Sequence, residues 1–284
     1  MSKKVNSLKI LKSINSTKKY LEKLDKPIAL IPTMGALHNG HLSLIEIGKK
    51  LNIHTIVSIF INPIQFNDKK DLEKYPRTLI QDIEKLKALK VDALFTPNIK
   101  NIFDKNFQTS VSVKNLQKNL CGMNRPGHFD GMATIVLKLF NILKPDYAIF
   151  GKKDFQQLEI IKRMCLDLNL NIKIIEGKIV REKNGLAMSS RNSLLTKNNL
   201  HLAPKIYEGL KLVKRDFIDC NQLKSQLAIK KLNNFYTKNG LKRIDYIEIV
   251  DKETLEKVRK IKKGDTIAVA VKLGKIRLID NLQF

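Results

Sequence analysis

Two imidazoles stand three residues apart in His38-Asn39-Gly40-His41. The string follows a short apolar run and opens a helical pattern, so a helix is expected to start there. A helix N-terminus offers backbone N–H groups without intrahelical partners and the positive end of the helix dipole, which suits a phosphate. Gly40 lets a ligand approach the backbone closely. Both imidazoles can face that ligand, bind phosphate oxygens and stabilise charge as a phosphorus is attacked. The alternatives are a zinc pair or two surface histidines. Zinc calls for further Cys, His or acidic ligands nearby, and none is evident, so the phosphate reading is preferred.

Other strings carry residue types with chemistry. Gly151-Lys152-Lys153-Asp154 follows an apolar run ending at Phe150. Lys153 can neutralise phosphate and Asp154 can accept from ribose hydroxyls; the plain alternative is an exposed lysine pair. Met188-Ser189-Ser190-Arg191 joins two hydroxyls to a guanidinium, a combination that clamps phosphate oxygens or, more simply, forms a loop or a helix N-cap. Gln65, in Asn62-Pro63-Ile64-Gln65-Phe66, has both a donor and an acceptor, which suits a hydroxylated carboxylic acid. From its chemistry alone it is equally a loop glutamine facing water. Gln157 falls one turn into a predicted helix, where an ordinary polar face is the alternative. Arg125-Pro126-Gly127-His128-Phe129-Asp130-Gly131 reads as a glycine-rich loop before a helix, with His128 a substrate-side group or a structural loop histidine. His128 is left out of the catalytic set, and His54 and His201 have no supporting context.

The elements that position these strings alternate. Leu11, Ile14, Leu21 and Leu24 recur at helical spacing and predict a helix over 8–24. Ile28 to Ile31, between Pro27 and Pro32, reads as a buried strand. Thr55 to Phe60 is β-branched and unbroken, as in a parallel strand covered on both faces. Helices are predicted over 78–90, 132–144 and 155–168, and strands over 91–95, 147–150 and 172–175. This alternation implies an α/β fold, a Rossmann-like parallel sheet whose ligand sits at the carboxyl ends of the strands. After about residue 186 the pattern changes to helices over 203–216 and 221–238, then short strands over 244–250, 266–271 and 276–279. A Rossmann-like N-terminal domain over 1–186 and a smaller α+β C-terminal domain over 187–284 are expected.

The bulk numbers bound the reading. The 284 residues suffice for two packed domains, and a 43% hydrophobic content is ample for a buried core. No apolar run approaches the roughly 20 residues that cross a bilayer. The start of the chain is short and basic without an apolar signal core, so a cytoplasmic location is expected. Cys121, Cys165 and Cys220 are widely spaced with no CxxC pair, which points to reduced structural thiols. The net charge of +26 comes from Lys spread along the whole chain without interleaved aromatic residues. It reads as a solvated surface that attracts anionic substrates, not as a nucleic-acid interface.

HxGH at this position resembles the nucleotidyltransferase superfamily. The longer string Pro32-Thr33-Met34-Gly35-Ala36-Leu37-His38-Asn39-Gly40-His41-Leu42 resembles the pantoate–β-alanine ligases, the pantothenate synthetase family. Ser58 to Phe66, Tyr75-Pro76-Arg77-Thr78, Arg125 to Phe129, Gly151 to Gln157, Met188 to Asn192 and Leu278-Ile279-Asp280-Asn281 agree, in the family's order. The resemblance spans nearly the whole chain. It departs at Lys152, where the family usually has Glu, and at Asp130, where it often has a basic residue. The Lys152 side chain is read as solvent-facing, so only its place in the Gly151–Asp154 string is transferred and no side-chain role.

The resemblance implies ATP-dependent condensation of pantoate with β-alanine through a pantoyl-adenylate, yielding pantothenate, AMP and pyrophosphate. It implies an ATP site from Met34, Gly35, Ala36, Leu37, His38, Asn39, Gly40 and His41, from Gly151, Lys152, Lys153 and Asp154, and from Val180, Met188, Ser189, Ser190 and Arg191. Val180 would contact the adenine region through backbone or packing; otherwise it is a strand-end apolar residue. His41, His38, Lys153 and Arg191 are the implied catalytic residues. The family's histidine at His41 is usually assigned as proton donor, although either imidazole can act electrostatically. Gln65 would contact pantoate and β-alanine, and Gln157 pantoate. Magnesium would accompany ATP, with no protein-held metal; a homodimer is implied, with no nucleic-acid or membrane partner. The rivals are a nucleotidyltransferase acting on a phosphorylated acceptor, which would lack the Asn62–Phe66 and Phe155–Gln157 strings, and a basic nucleic-acid-binding protein.

Overall fold

A computed structural model describes residues 7–220 and 223–284. In chain order its strands are β1 (Lys9–Leu11), β2 (Ile28–Thr33), β3 (His54–Ile59), β4 (Ala93–Phe95), β5 (Tyr147–Gly151), β6 (Lys173–Gly177), β7 (Arg243–Val250), β8 (Thr266–Leu273) and β9 (Ile276–Gln283). Its helices are α1 (Ile14–Leu21), α2 (Asn39–Lys50), α3 (Lys69–Lys74), α4 (Leu79–Ala88), α5 (Ile99–Ile102), α6 (Cys121–Asn124), α7 (His128–Leu143), α8 (Phe155–Asp167), α9 (Lys197–Leu202), α10 (Lys205–Cys220) and α11 (Ser225–Lys238). Short 3-10 turns cover Pro63–Gln65, Lys152–Asp154 and Ser190–Leu194. The chain divides into two compact units. The first is Met1–Val113, Gly127–Lys152 and Ile161–Lys178; the second is Lys114–Pro126, Lys153–Ile160 and Ile179–Phe284.

The first unit is a parallel six-stranded sheet in the order β1-β4-β3-β2-β5-β6. From β2 the chain runs outward through β3 and β4, then returns to lay β5 on the other side of β2. The gap between the ends of β2 and β5 is therefore a topological switch point, where sheets of this kind bind ligands. Ile28, Ala29, Leu30 and Ile31 are all buried, because the sheet is covered on both faces. Ile31, Ile45, Val57, Leu86 and Ile149 belong to one core cluster that glues α2 and α4 to the sheet. The second unit contains an antiparallel sheet, β7-β8-β9, with α10 and α11 against it. Leu210, Val213, Leu232, Tyr236, Ile267 and Val269 lie in its core.

The structure corrects two helix readings. Residues 8–24 are not one helix. Lys9–Leu11 is an edge strand paired in parallel with β4, and Ser13 caps a helix that starts at Ile14. Ser13 and Ser16 bond reciprocally at that cap, so two elements share what looked like one apolar stripe. The helix expected from 132 starts at His128, with Gly127 at φ +73 as its cap. Gly131, read as loop, sits in its first turn. The start of the helix expected at 221 lies outside the described residues, as does the side chain of Cys220. Cys121 and Cys165 are free and buried, and burial pushes the Cys165 thiol up to about 11. Among the described residues no helix is long and apolar enough to cross a membrane.

Candidate active site

The loop from Thr33 to His38 leaves β2 at the switch point and is held from three sides. Thr33 Oγ1 donates to the Ser58 carbonyl at 2.8 Å and accepts from the Gly35 N–H at 3.2 Å. Gly35 takes φ +82 and Ala36 φ +51, the left-handed region. This lets the Ala36 and Leu37 N–H groups both point at Asp82, donating to its two carboxylate oxygens at 2.8 Å each. Lys85, one turn further along α4, donates to the Leu37 carbonyl at 2.6 Å. Asp82 is 1% exposed. A buried carboxylate accepting two backbone N–H groups is a strong, charge-assisted anchor.

His38 then caps α2. Its Nδ1 accepts from the Gly40 N–H at 3.1 Å, and Nδ1 of His41 accepts from the His38 N–H at 3.4 Å. The helix start is thus a capping box made of two histidines in place of the usual hydroxyl and carboxylate. The arrangement sets the tautomers. A ring nitrogen that accepts carries no proton, so the single proton of each neutral imidazole sits on Nε2. The ring centroids are 4.1 Å apart and the rings are only partly buried. Two Nε2–H donors at a helix N-terminus make a phosphate-binding pair.

The loop after β3 meets this one. Gln65 is 8% exposed, and its Nε2 lies 3.1 Å from the Met34 sulfur. Its Oε1 accepts from Asn62 Nδ2 at 3.0 Å, and the same Asn62 nitrogen donates to the Gly131 carbonyl at 3.0 Å. Asn62 is fully buried, and its Oδ1 has no hydrogen-bond partner among the described residues. His128 Nδ1 lies 2.6 Å from the Gln65 carbonyl oxygen. A carbonyl only accepts, so this nitrogen carries the proton and His128 pins the Gln65 backbone. Gln65 is therefore not the water-facing glutamine of the plain reading.

Gly151 ends β5 opposite Gly177, and Lys152 follows it. Lys152 Nζ pairs with Glu176 at 2.7 Å, and Lys162 pairs with the other oxygen of that carboxylate. Burial alone would raise the Glu176 pKa, but hydrogen bonds from both lysines outweigh it and hold the carboxyl below its ordinary range. Lys152 is thus solvent-facing and at the same time tethered along the sheet edge.

The remaining candidates lie in the second unit. Val180 and Met188 are partners, the Met188 N–H donating to the Val180 carbonyl at 3.0 Å across a hairpin that turns at Gly185, φ +93. Ser189 caps the turn Ser190–Leu194, its Oγ accepting from the Arg191 N–H at 3.3 Å, so the N-cap reading holds for that hydroxyl. Asn192, buried, ties the turn to the hairpin through Glu182 and the Ala187 carbonyl, at 3.0 and 3.1 Å. Strand β9 locks this frame. Asp280 takes both guanidinium nitrogens of Arg181, at 2.6 and 3.0 Å, and Asn281 donates to the Lys153 carbonyl at 3.0 Å. The Asp280–Asn281 pair therefore joins the hairpin to Lys153. The side chain of Lys153 reaches Asp154 at 3.6 Å. Gln156 is structural, bonding the Leu116 and Asn119 carbonyls and the Cys121 N–H; Gln157, the next residue, is half-buried.

Sequence reasoning missed Asp82, Lys85, Arg181 and the role of Asn62. A signal for Asp82 existed. It falls within the apolar stripe Leu79, Ile83, Leu86 of α4, and an acid on a buried helix face needs a partner.

A sequence model described as Pantoate-beta-alanine ligase matches residues 9–283. The pantothenate synthetase of Caldicellulosiruptor bescii is 46% identical over 264 residues, covering 93% of each chain. That of Thermosipho africanus is 43% identical, covering 97% of this chain and 99% of its own. The crystal structure of the pantothenate synthetase of Thermus thermophilus superposes with a TM-score of 0.92 at 35% identity, covering 97% of this chain and 99% of that one. A Francisella tularensis pantoate-beta-alanine ligase, solved in complex with beta-gamma ATP and beta-alanine, gives a TM-score of 0.83 at 38% identity, with 97% of each chain covered.

Proposed function

The chain belongs to the pantoate-beta-alanine ligase family, and from that premise we propose that it condenses pantoate with β-alanine at the expense of ATP, through a pantoyl-adenylate. The observation that carries the reading is the reciprocal histidine cap of α2, which leaves the protons of both rings on Nε2, on a loop whose Met34 meets the buried Gln65 of the next loop. In the first half-reaction a pantoate carboxylate oxygen attacks the α-phosphorus, and pyrophosphate leaves. His38 and His41 donate from Nε2 to phosphate oxygens as charge builds, with His41 the proposed proton donor. Gln65 holds pantoate and orients β-alanine, and the unsatisfied Asn62 carbonyl is suited to accept from a pantoate hydroxyl. In the second half-reaction the β-alanine amine attacks the pantoyl carbonyl, and AMP leaves with the oxygen it received from pantoate. No enzyme nucleophile is required, because the acyl group is already activated as a mixed anhydride.

Gly151, Lys152, Lys153, Asp154, Val180, Met188, Ser189, Ser190 and Arg191 are proposed to complete the ATP site, with Lys153 and Arg191 neutralising the triphosphate, and Gln157 to bind pantoate. Residues 187–284 are proposed as a lid that shields the mixed anhydride from water. Magnesium is proposed as part of the ATP substrate. It would neutralise phosphate charge. A homodimer in the cytoplasm, where ATP is available, is the proposed setting.

Product analysis tests the reading. With ATP, pantoate and β-alanine, AMP, pyrophosphate and pantothenate form in equal amounts. With β-alanine omitted, pyrophosphate stops at one equivalent per active site. Pyrophosphate release without pantoate, or ADP as the nucleotide product, would refute it.

Gly131 provides a separate check on Gln65. A Cβ at Gly131 would stand 2.5 Å from the Ile64 carbonyl oxygen and 2.9 Å from the Gln65 nitrogen, so Gly131→Ala must push the Pro63–Gln65 turn off α7. Overpacking of this kind costs about 1–3 kcal/mol. A substrate misplaced by about 1 Å can lose on the order of 100-fold in rate. We expect kcat/KM for pantoate to fall by about that factor while KM for ATP stays within about threefold. Equal losses for both substrates would show that the glycine serves only the fold.

A further inference from the structure

The second unit contains a cavity of about 620 Å³ between the start of α11, the end of β7 and the strap formed by residues 257–260. The strap is zipped on both edges. Val258 donates to the Ile249 carbonyl at 3.1 Å, and Val250 and Lys257 bridge. On the other side Ser225 donates to the Arg259 carbonyl at 3.0 Å, Ile261 to the Leu223 carbonyl at 3.1 Å, and Lys224 bridges Lys260. Backbone pairing therefore fixes where four lining cations, Lys224, Lys257, Arg259 and Lys260, leave the chain. The one acid in the lining, Glu248, pairs with Lys257 at 2.7 Å. The lining keeps a strong positive excess.

Two further features point to an occupant. The first turn of α11, a 14-residue helix with no side-chain cap, lines the cavity, and a negative group is favoured at such a helix start. Ser225, in the first turn, is 5% exposed and its Oγ has no hydrogen-bond partner among the described residues. Ile229, four residues on, lines the same cavity, so Ser225 lies on the helix face turned toward it. A buried hydroxyl without a protein partner calls for one, which a bound water or a ligand oxygen supplies. The rest of the lining is Gln226 and the apolar side chains of Ile229, Ile249 and Val258.

We propose that this cavity binds an organic phosphate monoester. Its phosphate sits at the start of α11 among Lys224, Arg259, Lys260 and the Ser225 hydroxyl, and its apolar body lies over Ile229, Ile249 and Val258. The chemistry does not depend on the reaction catalysed by the family.

Calorimetric titration with octyl phosphate, in saturating ATP to occupy any nucleotide site, tests this. The wild-type protein binds one equivalent, and does so roughly tenfold or more tightly than inorganic phosphate because the alkyl chain leaves water. Affinity drops by about tenfold or more in Arg259→Glu/Lys260→Glu, and less in Ser225→Ala, while turnover is unchanged. A second measurement needs no variant: octyl phosphate slows acylation of Lys224 and Lys260 in the wild type but not that of Lys19. Equal binding by the double variant, equal binding of octanoate or of inorganic phosphate, or unprotected lysines would each overturn the proposal.

Discussion

Replacing His41 by Ala should lower kcat by roughly 10²–10⁴-fold while leaving the fold intact, the range expected when a charge-stabilising or proton-donating group is removed. Little helix capping is lost with it, because the bond that His41 accepts from the His38 N–H is long, at 3.4 Å. Loss of a weak cap bond costs about 0.5 kcal/mol. His38→Ala is the informative companion. It removes the better cap bond, at 3.1 Å from the Gly40 N–H, so about 1 kcal/mol of stability goes with the activity. The pair of variants separates helix capping from chemistry: thermal melts should rank His38→Ala as the less stable, while single-turnover pyrophosphate release is depressed in both. If His41→Ala turns over normally, the helix-start imidazole has no part in the reaction.

Asp82→Ala carries the second large effect, and it strikes a residue that on this account touches no substrate. Its two oxygens receive the Ala36 and Leu37 N–H groups at 2.8 Å each, and Thr78 Oγ1 lies 3.2 Å from one of them. Truncation strands two donors in a loop whose left-handed turn at Ala36 relies on them. The loss is about 2–4 kcal/mol, as for other buried charge-assisted contacts. The loop leads directly into His38, so the imidazole pair shifts with it, and kcat should fall by on the order of 100-fold even in the folded fraction. Asp82→Asn keeps one acceptor and should recover part of both losses. Denaturant titration gives the stability term, and activity measured well below the transition gives the positioning term. Full activity in a destabilised Asp82→Ala would mean the anchor serves folding alone.

How far the sequence could be read followed the range of the interactions. The strands at 28–31 and 55–60 were legible because two-sided burial forces unbroken apolar runs, and the histidine string because its chemistry is local. The edge strand Lys9–Leu11 was not. Only Leu11 is buried in it, so no alternation distinguishes it from the helix that follows. The true start of α7 was hidden by Gly127 and Gly131. The first is a left-handed cap, but the second is a helical residue kept small by the Ile64 carbonyl. The pairing of Val180 with Met188, and the link from Asp280 and Asn281 to Arg181 and Lys153, join positions 8 to 128 residues apart. Spacing alone does not reveal such contacts. The family resemblance flagged Leu278–Asn281 without a reason, and the ties made by Asp280 and Asn281 supply one.

The central claim, that pantoate is activated by direct attack of its carboxylate on the α-phosphorus, is tested most directly with pantoate labelled by ¹⁸O in both carboxylate oxygens. After turnover with ATP and β-alanine, mass spectrometry should find one labelled oxygen in AMP and the other in the amide carbonyl of pantothenate. Unlabelled AMP, with the label in pyrophosphate or inorganic phosphate instead, would contradict the account.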